Sequence, residues 1–294
     1  MSLMLTMCYQ NYFNSWFVAE VVLLVPGVVT TLLLAWHFMR ERKDLSPAKV
    51  LGVNLVLMQL LYLSMAPLGM VIYWVNTVQR NSTEGNRDWK SGPGTTLIDV
   101  ASVLNLVGCP GLLACMCIER YTAVAMPMLY LRSRKWVYKI TISAAVWANT
   151  LIFVIVVVRI GMTDIIIVIN FIICFLFLVM LTCLVGVAWS LCQASPAHST
   201  AQRLASPLKR RALRSVLAVL LPTVCSYLPF FGFIPIMMSM DVSETWCNFL
   251  RLTLFCPMFS IFIGPMFYLA QAQQILCVRK GGQHPPHPGI DRGA

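Results

Sequence analysis

The sequence predicts an all-α integral membrane protein: a seven-transmembrane helix bundle with its N-terminus outside the cell and its C-terminus in the cytoplasm. Three observations predict this fold. Of the 294 residues, 59% are hydrophobic and only 11% are charged, whereas a soluble domain carries about a quarter charged residues. Seven apolar stretches each reach the roughly 20 residues that a helix needs to cross a hydrocarbon core about 30 Å thick. The basic residues collect in alternate connecting segments, as in membrane proteins of fixed orientation.

Short polar or basic segments separate the seven predicted spans, which are residues 16–39, 50–75, 95–118, 136–158, 165–192, 212–240 and 247–270. Spans four and five are so close that one long helix is an alternative there. Gly161 lies between them and supplies the permissive backbone that a tight turn requires. Residues 1–15 are then an extracellular N-terminus, residues 16–270 the membrane domain, and residues 271–294 a short cytoplasmic helix with a disordered tail.

The basic residues predict the orientation. Of the 22 Lys and Arg residues, all but five fall in segments that this topology places in the cytoplasm; the five are Arg80, Arg87, Lys90, Arg159 and Arg251. This excess is the positive-inside bias, so the net charge of +11 reflects membrane topology and not a nucleic-acid partner. The N-glycosylation sequon at Asn81 agrees with it, since the sequon lies in a loop predicted to face outside.

Neither catalysis nor cofactor binding is expected. The four histidines are dispersed along the sequence, so no cluster of His and acidic residues is available for metal binding or acid–base chemistry. The sequence therefore predicts no catalytic residue, no cofactor and no metal site. A membrane transporter or channel is an alternative function. Its polar candidates at mid-membrane depth are only Gln59 and a few Asn and Ser residues, and no internal repeat is visible.

Span three ends in the triplet Glu119-Arg120-Tyr121. Two charged side chains at a membrane boundary are costly, and an acid beside an arginine satisfies both charges if the two side chains pair. Alternatively, Arg120 merely extends its charged group to the membrane interface. The residues alone leave both interpretations open.

The chain resembles the rhodopsin-like (class A) G-protein-coupled receptors along essentially its whole length. The third helix of these receptors ends in an acid-Arg-Tyr triplet similar to residues 119–121. Trp147 lies in the middle of span four, as a tryptophan does in the family. Residues 225–229 end in Tyr-Leu-Pro, similar to the family's aromatic-X-Pro hinge in helix six. Residues 264–268 read Gly-Pro-Met-Phe-Tyr, similar to the family's Asn-Pro-X-X-Tyr motif in helix seven.

This resemblance implies a receptor whose partners are a heterotrimeric G protein, a small-molecule ligand and the lipid bilayer. In that family the arginine of the triplet is held by its acidic neighbour in the inactive state. It enters the G-protein cavity when the sixth helix moves outward. The implied switch residues are Glu119, Arg120, Tyr121 and Tyr268. The implied helix hinges, where a proline removes a backbone hydrogen bond and kinks the helix, are Tyr227, Pro229 and Pro265.

The run from Glu119 to Tyr130 looks most like the odorant-type receptors, particularly the fish odorant group. That likeness implies a chemosensory receptor of the plasma membrane with a role in olfaction. Some family positions differ, however. Gln59 and Gly264 stand where the family has Asp and Asn, so we expect no sodium site, and Thr95 stands where the family has the cysteine of an outer disulfide. A degenerate, non-signalling receptor is therefore an alternative.

By the same resemblance, a ligand pocket should open outward between spans three, five, six and seven. The candidate lining is apolar and aromatic with a few hydrogen-bonding groups, which suits a small, mostly apolar ligand. The candidates are Asp99, Ser102, Asn105, Asn170, Phe171, Tyr227, Phe230 and Phe231. Asp99 has an alternative role as a solvated acid at a helix end, paired with Arg159 or Arg251.

The eleven cysteines divide by position. Those within the spans are expected to be small apolar packing residues. Cys8 and Cys247 are the two expected to face the oxidising exterior, and we hypothesise a disulfide between them. Cys277, just beyond the last span, is a candidate palmitoylation site.

Overall fold

The computed structural model of the chain describes residues 22–36, 39–40, 50–81, 92–126, 128, 130, 135–192, 226, 259 and 262. Over these residues the regular structure is entirely helical. Helix α3 is one continuous helix with a π-helical turn inside it. In chain order, the helices are α1 (Val22–Trp36), α2 (Val50–Asn81), α3 (Pro93–Val103, the π turn Leu104–Gly108, and Cys109–Ala125), α4 (Trp136–Ile160) and α5 (Met162–Cys192).

The described helices are those of a membrane protein. Four segments are long and apolar enough to cross a membrane, and they coincide with the second to fifth predicted spans: Val50–Asn76, Pro93–Ala123, Trp136–Ile160 and Asp164–Val187. Helix α1 is a shorter apolar helix inside the first predicted span. The chain is therefore an all-α membrane protein that contacts the lipid bilayer. The sixth and seventh predicted spans lie outside the described residues.

Span two is confirmed to within one residue, at Val50–Asn76, and helix α2 continues beyond it. The predicted span ended at residue 75, but α2 continues for six residues to Asn81, because neither Gly nor Pro interrupts residues 76–80. At about 1.5 Å per residue, this extension adds roughly 9 Å to the helix. Asn81 is therefore the last residue of α2, five residues beyond the membrane-crossing part that ends at Asn76, and it lies between spans two and three as predicted.

A single residue separates α4 from α5. Helix α4 ends at Ile160, and Gly161 adopts φ 102° and ψ 155°, a conformation that essentially only glycine accepts. The Gly161 N–H still donates to the Val157 carbonyl at 2.8 Å. Residues on both sides of this turn, such as Val157 and Ile165, pack in one apolar cluster. The predicted break at Gly161 is confirmed, and the alternative of one long helix is wrong.

Helix α3 lies at the centre of the described bundle. In the most apolar 18-residue segment of α3, 83% of the residues are buried, whereas the corresponding segments of α4 and α5 are 17% and 28% buried. Its side chains contact α2, α4 and α5 within one core. The largest fully buried members of that core are Leu51, Leu55, Met58, Leu112, Leu113 and Met180. Burial of this extent fixes the rotation of α3, and therefore the directions in which its polar residues point.

The π-helical turn interrupts α3 near its middle. All five residues of Leu104–Gly108 are buried, and the Cys109 N–H donates to the Leu104 carbonyl five residues earlier. Pro110 explains why the helix is irregular here, since proline has no N–H and its ring collides with the carbonyl four residues before it. Before this turn α3 packs mainly against α2, and after it mainly against α5.

The outer face of α5 is apolar and unpacked. Its exposed large side chains recur every three or four residues, which places them on one side of the helix. They are Val168, Phe171, Phe175, Leu178, Leu181, Val185 and Trp189. The opposite face carries Ile169, Ile173 and Met180, which are buried in the core. The other described helices leave this stripe uncovered.

Candidate functional site

The triplet Glu119-Arg120-Tyr121 lies in the last turns of α3. The helix ends at Ala125, where Met126 leaves the helical region with φ −135° and ψ 70°. Pro127 comes next in the sequence, and the residue before a proline is disfavoured in helical conformation. The triplet is thus at the end of the central helix, beside the N-terminal end of α4 and the C-terminal half of α5.

Glu119 forms an ion pair with Lys139, which lies in the first turn of α4. Their carboxylate oxygen and ammonium nitrogen are 2.8 Å apart, and the side chains are only 10% and 4% exposed. The resemblance implies that Glu119 holds its neighbour Arg120 in the inactive state; in this structure the partner of Glu119 is Lys139. Glu119 faces α4 from the end of α3, and there the ammonium group of Lys139 occupies its carboxylate.

Tyr121 faces a different helix. Its ring packs directly against Gly186 of α5, at the place where any larger residue would put its Cβ atom. The glycine therefore creates the space that the ring occupies. The hydroxyl of the next residue, Thr122, donates back to the Glu119 carbonyl of the same helix at 3.0 Å.

Arg120 lies between these two anchored residues in the sequence and is half-buried. Because Glu119 is directed to α4 and Tyr121 to α5, the Arg120 side chain leaves the helix about 100° away from each of them. The two flanking contacts thus fix the direction of Arg120 through the backbone. A planar guanidinium in a fixed direction is suited to hydrogen-bond acceptors of a partner.

A second interhelical contact joins α4 to α2. The Trp147 ring nitrogen donates to the side-chain oxygen of Asn54 at 3.0 Å. The Asn54 amide nitrogen donates to the Val50 carbonyl at 2.9 Å, which orients the oxygen towards the tryptophan. Since few polar partners exist inside a membrane, such a bond contributes directly to helix association.

Five predicted pocket residues are described, and they differ in environment. Asp99 and Ser102 are half-buried on α3, and the Ser102 hydroxyl donates to the Ile98 carbonyl at 2.8 Å. Asn105 and Asn170 are buried, at 5% and 7% exposure. No ion pair joins Asp99 to Arg159 in the described part of the chain, where Arg159 is exposed; Arg251 lies outside it.

The structure brings the Asn105 and Asn170 regions close together. Ile169, next to Asn170, packs in the same cluster as Leu106, next to Asn105. The buried side-chain oxygen of Asn170 has no hydrogen-bond partner, which is costly for a polar atom in an apolar interior. The Phe171 side chain is 70% exposed on α5; spans six and seven, which would form the other walls of the pocket, lie outside the described residues, so this assignment stays a prediction.

The remaining predicted site residues cannot be placed in the structure. Tyr227, Pro229, Phe230, Phe231, Pro265 and Tyr268 lie outside the described residues, as do Cys8, Cys247 and Cys277. Among the described cysteines of the spans, Cys109, Cys117 and Cys183 are buried in the core as predicted. In the described helices, no three His, Cys, Asp or Glu side chains come together as a metal site would require.

No protein-family model matches the chain. The resemblance to the class A receptors therefore depends on the motifs themselves. Three contact residues escaped the sequence-based interpretation: Lys139, Asn54 and Gly186. The sequence contained one signal for Lys139, because an acid at a membrane boundary needs a cation, but it did not indicate which of the nearby basic residues was the partner.

Proposed function

We propose that the chain is a rhodopsin-like G-protein-coupled receptor of the plasma membrane, of a chemosensory, odorant-like type. It transduces the binding of a small, mostly apolar extracellular ligand to a cytoplasmic G protein. One observation carries the proposal: the acid-Arg-Tyr triplet lies at the end of the most buried helix, with the residues on both sides of Arg120 directed to α4 and α5.

The proposal includes seven spans with the N-terminus outside. The distribution of basic residues supports this orientation. The orientation in turn determines on which side of the membrane the triplet lies. The C-terminal end of α3 is then cytoplasmic, so Arg120 is presented where a G protein binds. The outer half of α3, with Asp99 and Ser102, faces the side from which a ligand enters.

Signalling requires two states of the bundle with different affinities for ligand and G protein. The ligand acts where α3 and α5 meet around Asn105 and Asn170, since the unpaired buried oxygen of Asn170 is available to a hydrogen-bond donor. The π turn of α3 separates the segment packed on α2 from the segment packed on α5. A change in how these segments pack alters the direction of Arg120.

A reporter experiment tests the function. The full chain is expressed with reporters for each class of G protein and exposed to odorant, lipid and amine libraries, and wild type is compared with Arg120→Ala. We expect a basal or ligand-driven signal with at least one class, and its loss in the variant. Arg134→Ala, in the predicted loop after span three, is the matched control and should signal like wild type. Equal silence of wild type and Arg120→Ala would support the non-signalling alternative.

A further inference from the structure

The Glu119–Lys139 ion pair has a consequence for Arg120. We propose that Lys139 is a positioning residue that engages the Glu119 carboxylate and so keeps Arg120 available to the G protein without ligand. This inference rests on the proposed receptor function. It gives Lys139 a role in setting the basal activity, whereas in the sequence Lys139 was only one of the basic residues that predict the topology.

The pair is built to persist. Both side chains are almost completely buried and their charged atoms are 2.8 Å apart, so water neither screens the attraction nor replaces either partner. A buried charge that loses its partner is strongly unfavourable. Neither Glu119 nor Lys139 can therefore leave the other unless a different opposite charge is within reach.

The position of Lys139 on α4 is unfavourable for a lysine unless Glu119 is paired with it. It lies in the first turn of the helix, where no acidic residue is present. The positive end of the helix dipole disfavours a cation at this position. One turn further along α4, the Ser143 hydroxyl is buried without a hydrogen-bond partner, so it makes no hydrogen bond with the lysine. The carboxylate of Glu119 supplies the compensating interaction.

Arg120 and Lys139 compete for the same carboxylate. A carboxylate beside an arginine is a natural partner for it, and a bound Glu119 would occupy the donors that Arg120 could otherwise offer to a G protein. By engaging Glu119, Lys139 removes this competitor. Without the lysine charge, Arg120 is the nearest cation along the chain, and Glu119 turns to it.

A double-mutant cycle tests the inference in the full-length chain. Basal G-protein signal per surface receptor is measured for wild type, Lys139→Gln, Lys139→Arg and the double variant Glu119→Gln/Lys139→Gln. We expect Lys139→Gln to lower the basal signal at least about fivefold, because Glu119 then pairs with Arg120. Lys139→Arg keeps the ion pair and the wild-type signal. The double variant has no carboxylate to occupy Arg120 and recovers at least the wild-type signal.

Other outcomes separate the two claims. If Lys139→Gln changes only the number of receptors at the surface and leaves the signal of each unchanged, Lys139 has a merely structural role and the inference is overturned. The inference is also overturned if the double variant Glu119→Gln/Lys139→Gln reaches the surface but signals as little as Arg120→Ala. This second comparison still applies if Lys139→Gln alone does not reach the surface. Silence of wild type and all variants with every G protein contradicts the proposed function itself.

Discussion

Consecutive residues at the C-terminal end of α3 face different neighbours. Glu119 is paired with Lys139 of α4, and the Tyr121 ring is packed on Gly186 of α5. These contacts are of different physical kinds, one electrostatic and one steric. Each fixes the rotation of the same helix turn, and Arg120 inherits its direction from both.

Gly186→Ala tests the steric contact. A Cβ atom at this position would collide with the Tyr121 ring, and overpacking of this kind costs about 1–3 kcal/mol. Without a collision, alanine would stabilise the helix by about 0.5–1 kcal/mol relative to glycine. A net loss of stability in Gly186→Ala would therefore show that the collision occurs. We expect a lower thermal midpoint of the purified protein in detergent.

Gly111→Ala is the matched control for that experiment. It also adds a Cβ to a helical glycine, but the added atom would meet only the end of the Val146 side chain, at 3.2 Å. The control should lose less stability than Gly186→Ala. An equal or greater loss in the control would mean that the Tyr121–Gly186 contact is not tight.

Trp147→Phe tests the hydrogen bond between α4 and α2. The substitution keeps an aromatic ring but removes the donor to Asn54. Interhelical hydrogen bonds in membranes contribute about 0.6 kcal/mol on average and at most about 1.7 kcal/mol, so we expect a destabilisation within that range by thermal or denaturant unfolding. Trp189→Phe, on the exposed stripe of α5, is the control. Identical effects at the two tryptophans would argue against the bond.

At the scale of elements, the turn between α4 and α5 depends on one backbone conformation. Gly161 has φ 102°, and a side chain in that region costs about 1–3 kcal/mol. We expect Gly161→Ala to destabilise the protein by this amount, measured as a fall in the thermal midpoint. Gly92→Ala is a matched control, because Gly92 also precedes a helix but has φ −82° and open space around its Cα atom. A neutral Gly161→Ala would show that the turn can rearrange.

The elements differ in how well the sequence predicted them. Spans two to five follow from the length of apolar runs, and the turn at Gly161 from the conformational freedom of glycine. The π turn of α3 was not predicted, although Pro110 indicates an irregular helix, because hydropathy reports burial and not hydrogen-bond pattern. The end of span two was predicted to within one residue, whereas the continuation of α2 to Asn81 was not, since a helix can continue beyond its apolar segment.

The candidate site was predicted in its residue types but not in its contacts. The triplet at residues 119–121 is visible in the sequence, whereas its partners Lys139 and Gly186 belong to other helices. Which of two adjacent residues faces a neighbouring helix depends on the rotation of α3, and that rotation is set by the packing of the whole core.

At the scale of the whole molecule, orientation is open to a direct test. Asn81 ends α2, on the opposite side of the bundle from the C-terminal end of α3. If that side is extracellular, the sequon is glycosylated, and glycosidase treatment increases the gel mobility of the wild type but not of Asn81→Gln. An accessible N-terminal epitope on intact cells should accompany this result. A C-terminal epitope accessible on intact cells would contradict the orientation.

The central claim is that this helix bundle activates a G protein through Arg120. Its most direct test is guanine-nucleotide exchange on purified heterotrimeric G proteins, with the full chain reconstituted in lipid nanodiscs. The account predicts that wild type accelerates exchange on at least one class of G protein, that Arg134→Ala does the same, and that Arg120→Ala leaves exchange at its intrinsic rate. Exchange that wild type does not accelerate for any class, or that Arg120→Ala accelerates equally, would contradict the claim.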